Sequence, residues 1–220
     1  MAAGARQLGA TIIRRTRVTD IKVLPSGEFE VVTDAGNITC EHVVNAAGCY
    51  AREVGKWVGV DTPITNMEHQ YLVTDPLEEF RIVPWLEKAL ERMPIFANAG
   101  IKRIINGAIP HTPDGNPLVG PAPGLRNFWQ CCGAAIGIAQ GAGTGKYLAQ
   151  WMVHGDSDIN MHSLDPRRFG AYADPDYTRA KSFDDYENMF ETPLPGREIQ
   201  AGRPSRVTPL FEHLKAKGAV

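Results

Sequence analysis

The alternation of apolar and polar positions gives the chain three textures. "AAGARQLGA" predicts a short N-terminal helix closed by Gly9. From Thr11 to Val44 the pattern is β. "TIIRRTRVTDIKVL" is dense in β-branched residues and predicts a strand, "PSG" a turn, "EFEVVTD" an alternating strand and "AGN" a second turn. "ITCEHVVNAAG" predicts a strand that runs into small residues. "YAREVGKWVGV" places Val54, Trp57 and Val58 on one helical face. "PITNMEHQYLVTDP" predicts a strand with Met67, His69 and Tyr71 on one side and Glu68, Gln70 and Leu72 on the other. "VPWLEKALERMP" predicts a helix opened by Pro84 and stopped by Pro94. "IKRIINGAIPHT" predicts a strand, "PDGNPLVGPAPG" a series of turns, and "NFWQCCGAA" a strand leading into a glycine loop. "GTGKYLAQWMVHG" predicts a helix with Leu148, Trp151 and Met152 inward and Gly155 at its end. Beyond about His162 the chain is rich in charge, Pro and Tyr with little periodicity, and reads as an extended tail or a linker wrapping another domain. "LFEHLKAKGAV" predicts a final helix.

Charge and composition narrow the function classes. The chain has 220 residues, with 23 Lys+Arg against 25 Asp+Glu, so no basic field exists to draw nucleic acid or an anionic membrane. No apolar run approaches the roughly 18 residues of a membrane span. The 22 glycines exceed the usual share of about 7% and imply places of close backbone approach. Cys40, Cys49, Cys131 and Cys132 form no CxxC pair and no metal-ligand spacing, so buried thiols in a reducing compartment are expected, and no metal. His42, His111, His154, His162 and His213 read as surface histidines. "MAAGARQLGATIIRRTRVT" carries arginines and no acid, a faint likeness to an organelle transit peptide, but a helix followed by a strand explains it better. A chain that opens inside a helix suggests that something upstream is missing. The expected location is cytoplasmic, or the mitochondrial matrix in a eukaryote.

The stretch "CCGAAIGIAQGAGTGKYLAQW", Cys131 to Trp151, carries the candidate chemistry. A glycine-studded loop feeding a helix suits a nucleotide phosphate, a flavin ring or a plain tight turn. The Walker A pattern fails, because Gly145-Lys146 is followed by Tyr147 and Gln140 stands where the first glycine should be. The dinucleotide pattern GxGxxG occurs nowhere in the chain. "GAAIGI" still offers backbone N–H groups at a positive helix end, suited to an anionic or electron-rich edge. A flavin edge and a close-packed strand-to-helix turn both remain open on these residues alone.

"HTPDGNPLVGPAPGLRNFWQCCGAAIGIAQGAGTGKYLAQWMVHG" resembles the C-terminal flavin-binding signature of the D-amino-acid-oxidase-like FAD oxidoreductases, and more narrowly the dimethylglycine and sarcosine dehydrogenases. "EHVVNAAGCYAREVGKWVGV" resembles that family's second FAD-contacting strand and turn, and "MEHQYLVTD" its substrate-domain strand. The segment from "DPRRFGAYADPDYTRAKSFDDYENMF" to "AGRPSRVTPLFEHLKAKGA" resembles the linker before its folate-binding aminomethyltransferase domain. The resemblance implies a mixed α/β fold: a partial FAD/NAD(P)-binding type with the remnant of an antiparallel substrate-domain sheet and an extended C-terminal tail. It also implies roles. Val18 would contact the adenine end of FAD through its backbone. Ala46, Ala47 and Gly48 would form the small turn beside the cofactor, with Tyr50 close to it. Gly133, Ala134, Ala135, Ile136, Gly137 and Ile138 would run along the flavin pyrimidine edge, where a reduced flavin carries negative charge. His69 would take the ammonium proton of the substrate or hold its amine, supported by Tyr71. The substrate would be a small N-methyl amine, oxidised by hydride transfer to flavin.

The chain departs from that family in three ways. The N-terminal GxGxxG unit is not in these residues. "LEEF" runs directly into "RIVPWLEKALERMP" where relatives carry a long insertion, and the folate domain would begin where the chain stops. The expected organisation is a partial oxidoreductase domain over residues 1–161, with a shortened substrate-binding part at 62–110, and a linker over 162–220. Tetrahydrofolate would be bound only in the missing domain of relatives. An exposed sheet edge, self-association or a complementary chain are expected, and the alternative function is an inactive fragment or assembly module that binds a partner chain.

Overall fold

The structure, a computed structural model, describes residues 1–74, 90–92, 94, 101–192 and 194–219, with side chains described for all of these but 70–74, 101, 102 and 104. The chain divides into two units, one of Met1–Thr65 with Pro110–Val220 and one of Asn66–Ile109. Most of the helix expected over 84–94 lies outside the described residues, although 90–92 are helical.

In the first unit, α1 (Ala2–Gln7) ends as expected, with Gly9 in a left-handed conformation and the Ala10 N–H bonded back to Ala5 O at 3.0 Å. The strand expected from Thr11 begins only at Val18. Ile13 is exposed and residues 11–16 have no ladder partner among the described residues, so β propensity alone does not make them a strand. β1 (Val18–Val23), β2 (Phe29–Thr33) and β3 (Gly36–Cys40) form an antiparallel meander. The single strand expected over "ITCEHVVNAAG" is two. β3 stays in the meander, and after Glu41 and His42 the chain enters a second sheet as β4 (Val43–Asn45).

That second sheet contains the candidate site. Its order is β4-β8-β7, with β8 (Phe128–Cys132) parallel to β4 and antiparallel to β7 (Leu118–Pro121). β7 lies inside a stretch read from sequence as turns. Its prolines and glycines suggest punctuation, but Leu118 and Val119 are fully buried and hold it in the sheet. The alternation along β8 separates two faces. Phe128, Gln130 and Cys132 are buried on one side, and Phe128 joins Ile21, Phe29, Val60 and Ala122 in a core between sheet and meander. Trp129 and Cys131 lie on the other side, where Val119, Leu148, Met161 and Trp151 pack.

α2 (Ala51–Trp57) buries Ala51 and Gly55, whereas Trp57 stays partly exposed. Of the three expected apolar positions, Val54 and Val58 pack on the core. α3 runs from Gly137 to His154, so six residues that read as loop form its first turns. Glycine weakens a helix by about 1 kcal/mol each, and the packing of Tyr147, Leu148, Trp151 and Met152 anchors its far end. Residues 162–220, expected to be extended, contain a 14-residue helix, α4 (Pro175–Asn188). Asp174 caps it by accepting from the Tyr177 N–H, and it buries Thr178 and Ser182 rather than an apolar stripe, which is why hydrophobic periodicity missed it. α5 (Phe211–Ala216) closes the chain as expected.

The second unit is built on β5 (Thr65–Thr74) and β6 (Ile101–His111), which pair with each other. Met67 is buried, and Asn106 Nδ2 donates to Glu68 Oε1 across the pair at 2.7 Å.

Candidate functional site

β4 and β8 run parallel in register, Asn45 beside Gln130, so both strands release the chain at the same end of the sheet. A turn of small residues follows each strand: Ala46, Ala47 and Gly48 after β4, and Gly133, Ala134, Ala135 and Ile136 after β8. The crevice beyond the carboxyl ends of parallel strands is where α/β sheets bind ligands. The two turns that resemblance assigned to the cofactor are brought together there by strand pairing.

Each turn has its own support. Buried Asn45 bridges the first: its Nδ2 donates to Ala51 O at 2.8 Å, and its Oδ1 accepts from the Ala47 N–H at 3.3 Å. Sequence reasoning did not single out Asn45. Its signal was an amide at the end of an apolar strand, before a turn and a helix. In the second turn Gly133 has φ +71°, and a Cβ there would lie 2.7 Å from Thr112 Cγ2 and 3.2 Å from Ile64 Cγ2. Glycine at 133 is therefore demanded by the protein beneath the loop.

The outer side of the second turn is open. Ile136 is 59% and Ile138 100% exposed, and a Cβ at Gly137 would meet only Ala134 Cβ, at 3.8 Å. Gly137 and Ile138, expected in the loop, form the first turn of α3, whose N-cap residue Ile136 provides no side-chain cap. The first amides of an 18-residue helix thus face an uncrowded surface and present its positive end there. Tyr50 is 73% exposed beside the first turn. This is an open surface beside a positive helix end, with a preference for negative charge. The donor set fits the isoalloxazine end of a flavin, whereas no GxGxxG loop is present for the pyrophosphate.

The remaining candidates belong to other elements. Val18 begins β1 in the meander, with its side chain exposed. His69 is half-buried on β5 in the second unit; Tyr71 belongs to the same strand, but its side chain lies outside the described residues. His111 corrects the expectation of a surface residue. It is 1% exposed, because the end of β6 lies under α4: its Nε2 is 2.8 Å from Asp185 Oδ2 and its ring meets Tyr186 edge-on. Cys131 and Cys132 are not bridged, and burial pushes the Cys132 thiol up to about 12, an inert group. Among the described residues no cluster of His, Cys, Asp and Glu is placed to hold a metal, and no helix is long and apolar enough to cross a membrane.

Comparison with known proteins settles the family. Residues 1–86 and 80–151 match the family described as FAD dependent oxidoreductase, and residues 154–208 match the FAD dependent oxidoreductase central domain. The chain belongs to the FAD dependent oxidoreductase family. The two halves of the first match meet at residues 80–86. Mitochondrial dimethylglycine dehydrogenase of Mus musculus is 32% identical over 280 aligned positions, covering 99% of this chain and 32% of that protein. Mitochondrial sarcosine dehydrogenase of Homo sapiens is 30% identical over 280 positions, covering 100% of this chain and 30% of that protein. The alignments are longer than the 220-residue chain, so these relatives carry residues with no counterpart in it, and this FAD dependent oxidoreductase chain spans about a third of their length. In fold it is similar to L-proline dehydrogenase from P. horikoshii, with a TM-score of 0.66, 20% identity and coverage of 76% of this chain and 57% of that one.

Proposed function

We propose that this chain carries part of the catalytic region of an FAD-dependent amine oxidoreductase acting on a small N-methylated amine or amino acid of the dimethylglycine or sarcosine type. The observation that carries this reading is the side-by-side exit of β4 and β8 into two small-residue turns, the second opening an uncapped helix. When bound, FAD supplies the hydride acceptor. The chain's own part is to receive the ring edge along Gly133–Ile138, to leave it room at Ala46, Ala47 and Gly48, and to offer the amides of α3 to charge accumulating on that edge. Val18 and Tyr50 complete the proposed cofactor contacts. His69 is proposed to take the proton of the substrate ammonium, leaving the nitrogen lone pair free, with Tyr71, two positions along the same strand, proposed to support it. Residues 1–161 are proposed as the oxidoreductase domain, with 62–110 as a shortened substrate-binding part, and 162–220 as a linker. In a eukaryote the mitochondrial matrix is the proposed location; the relatives' names say only that they are mitochondrial. Any role of tetrahydrofolate belongs to a further domain.

A second reading is a module without its own chemistry that pairs with a complementary chain. It is favoured by the position of β4 at the edge of its sheet among the described residues, with Val44 exposed.

Titration of the chain with FAD, followed by flavin fluorescence quenching, separates the two. Saturable binding in the micromolar range is expected for cofactor use. No binding up to about 1 mM, near −4 kcal/mol, overturns it in favour of the module.

A further inference from the structure

Gly133, where the chain leaves β8 for the second turn, rests on a methyl group. A Cβ there would lie 2.7 Å from Thr112 Cγ2, so that methyl occupies the space where a side chain would begin. Thr112 is fully buried, and in a packed interior whatever fixes its side chain also fixes the backbone lying against it. Its hydroxyl donates to Asn116 O at 2.7 Å and reaches Asp114 Oδ1 at 3.2 Å. A hydroxyl carries one proton, so the two oxygens share it.

Arg168 holds the same two oxygens. Its Nη2 donates to Asn116 O at 2.8 Å and to Asp114 Oδ1 at 2.9 Å, while Nε takes Asp114 Oδ2 at 2.7 Å. The Asn116 N–H adds a third bond to Asp114 Oδ1, at 3.1 Å. The guanidinium is planar and its bonds are charge-assisted, so it sets the position of both acceptors more firmly than the neutral hydroxyl does. Arg168 therefore fixes where the Thr112 hydroxyl points. Cγ2 is on the same Cβ as that hydroxyl, so its position follows. The neighbouring Arg167 pairs instead with Asp165, in its own turn.

We propose that Arg168 is a positioning residue for the turn after β8: through the two oxygens it shares with Thr112 it fixes the methyl against Gly133, and so the direction of the amides that follow. A residue of the segment proposed as a linker is then part of the site. The use of those amides by a cofactor rests on the flavin reading, whereas the coupling of Arg168 to the turn does not.

The test reads the turn directly, in ¹H–¹⁵N spectra of the full chain at a temperature where each variant is folded. Arg168→Lys should move the backbone signals of Gly133, Ala134 and Ala135 and speed their hydrogen exchange by about tenfold, with Leu148 and Met152 at the far end of α3 unchanged. Thr112→Val keeps the branched shape but has no hydroxyl to bond, and should move the same signals. In the Thr112→Val background Arg168→Lys should add nothing further at the turn. Arg167→Lys should leave the turn as it is. FAD titrated into the same proteins gives a separate readout: binding should weaken by about tenfold in Arg168→Lys and in Thr112→Val and stay unchanged in Arg167→Lys. If the wild-type chain binds no FAD, the flavin reading falls and the turn signals alone decide the proposal. Lower stability in Arg168→Lys with the turn signals in place would make Arg168 a fastening only and overturn the proposal. So would an equal displacement of those signals with valine at 112, or FAD binding weakened no more than in Arg167→Lys. Thr112→Val leaves the Arg168–Asp114 pair intact, so unmoved turn signals in that variant overturn the proposal even if Arg168→Lys does not fold.

Discussion

His111 Nε2 lies 2.8 Å from Asp185 Oδ2, joining the end of β6 to the middle of α4 across 74 positions of sequence. The histidine is fully buried, its Nδ1 has no partner, and Ser182 Oγ donates to its carbonyl at 3.4 Å. This contact fastens the segment matching the family's central domain to the segment matching the oxidoreductase domain.

The pair has an asymmetry that mutation can read. Asp185→Ala leaves a buried imidazole with both nitrogens unsatisfied and should cost about 2–3 kcal/mol. His111→Phe keeps a ring against Tyr186 and removes the orphaned Nδ1, leaving a carboxylate that water already reaches, so it should cost less. Urea denaturation of both variants measures the order. A larger loss for His111→Phe would show that the hydrogen bond is not what holds α4.

Arg168 makes a second fastening. Its Nε and Nη2 donate to the two Asp114 oxygens at 2.7 and 2.9 Å, Nη2 also to Asn116 O, and Nη1 to Asp165 O. Lysine cannot reproduce a planar fork serving four acceptors. Arg168→Lys should lower stability by about 1.5–3 kcal/mol, read from the denaturation midpoint at constant m. A loss under about 0.5 kcal/mol would place the contact among ordinary surface pairs.

Two glycines a short way apart should respond with opposite sign. Gly133→Ala brings a Cβ to 2.7 Å from Thr112 Cγ2 at φ +71°, and should destabilise by about 2 kcal/mol or more. Adding Thr112→Ser removes that methyl and keeps the hydroxyl that donates to Asn116 O, so part of the loss should return. Gly141, inside α3, has nothing within 4 Å of its missing Cβ, and Gly141→Ala should gain about 0.5–1 kcal/mol. Thermal unfolding of the three variants checks the signs.

Cys132 makes stability fall in alkali. Its folded thiol is raised by burial from 9.0 to about 12, so above pH 9 the unfolded chain loses its proton first and the folded chain does not. Stability is unaffected below pH 9 and declines by at most about 1.4 kcal/mol per pH unit from there toward pH 12. Cys132→Ala should remove this part of the slope in urea titrations at pH 8 and 10.5. An unchanged slope would assign the alkaline loss to other groups.

Much was legible in the chain itself. The β texture from Val18 to Asn45, β5, β6, β8 and the helix ending at Gly155 followed from alternation and turn chemistry, because local propensity and punctuation favour those elements. The glycine turn after Cys132 stood out because such runs are rarely used without a steric or ligand reason. The sequence could also exclude Walker A and GxGxxG, since those patterns need specific residues at specific spacings.

Only the tertiary structure decided the rest. The division of "ITCEHVVNAAG" between two sheets, the strand hidden in "PLVGP" and the helix carried by Thr178 and Ser182 depend on partners distant in sequence. So do the burial of His111 and the unpaired oxygen of Gln130. Local pattern reports what a segment can do alone, whereas burial and hydrogen-bond satisfaction are properties of pairs that folding brings together. For that reason the two small turns could be found one at a time in the chain, but their common edge came from the parallel register of β4 and β8.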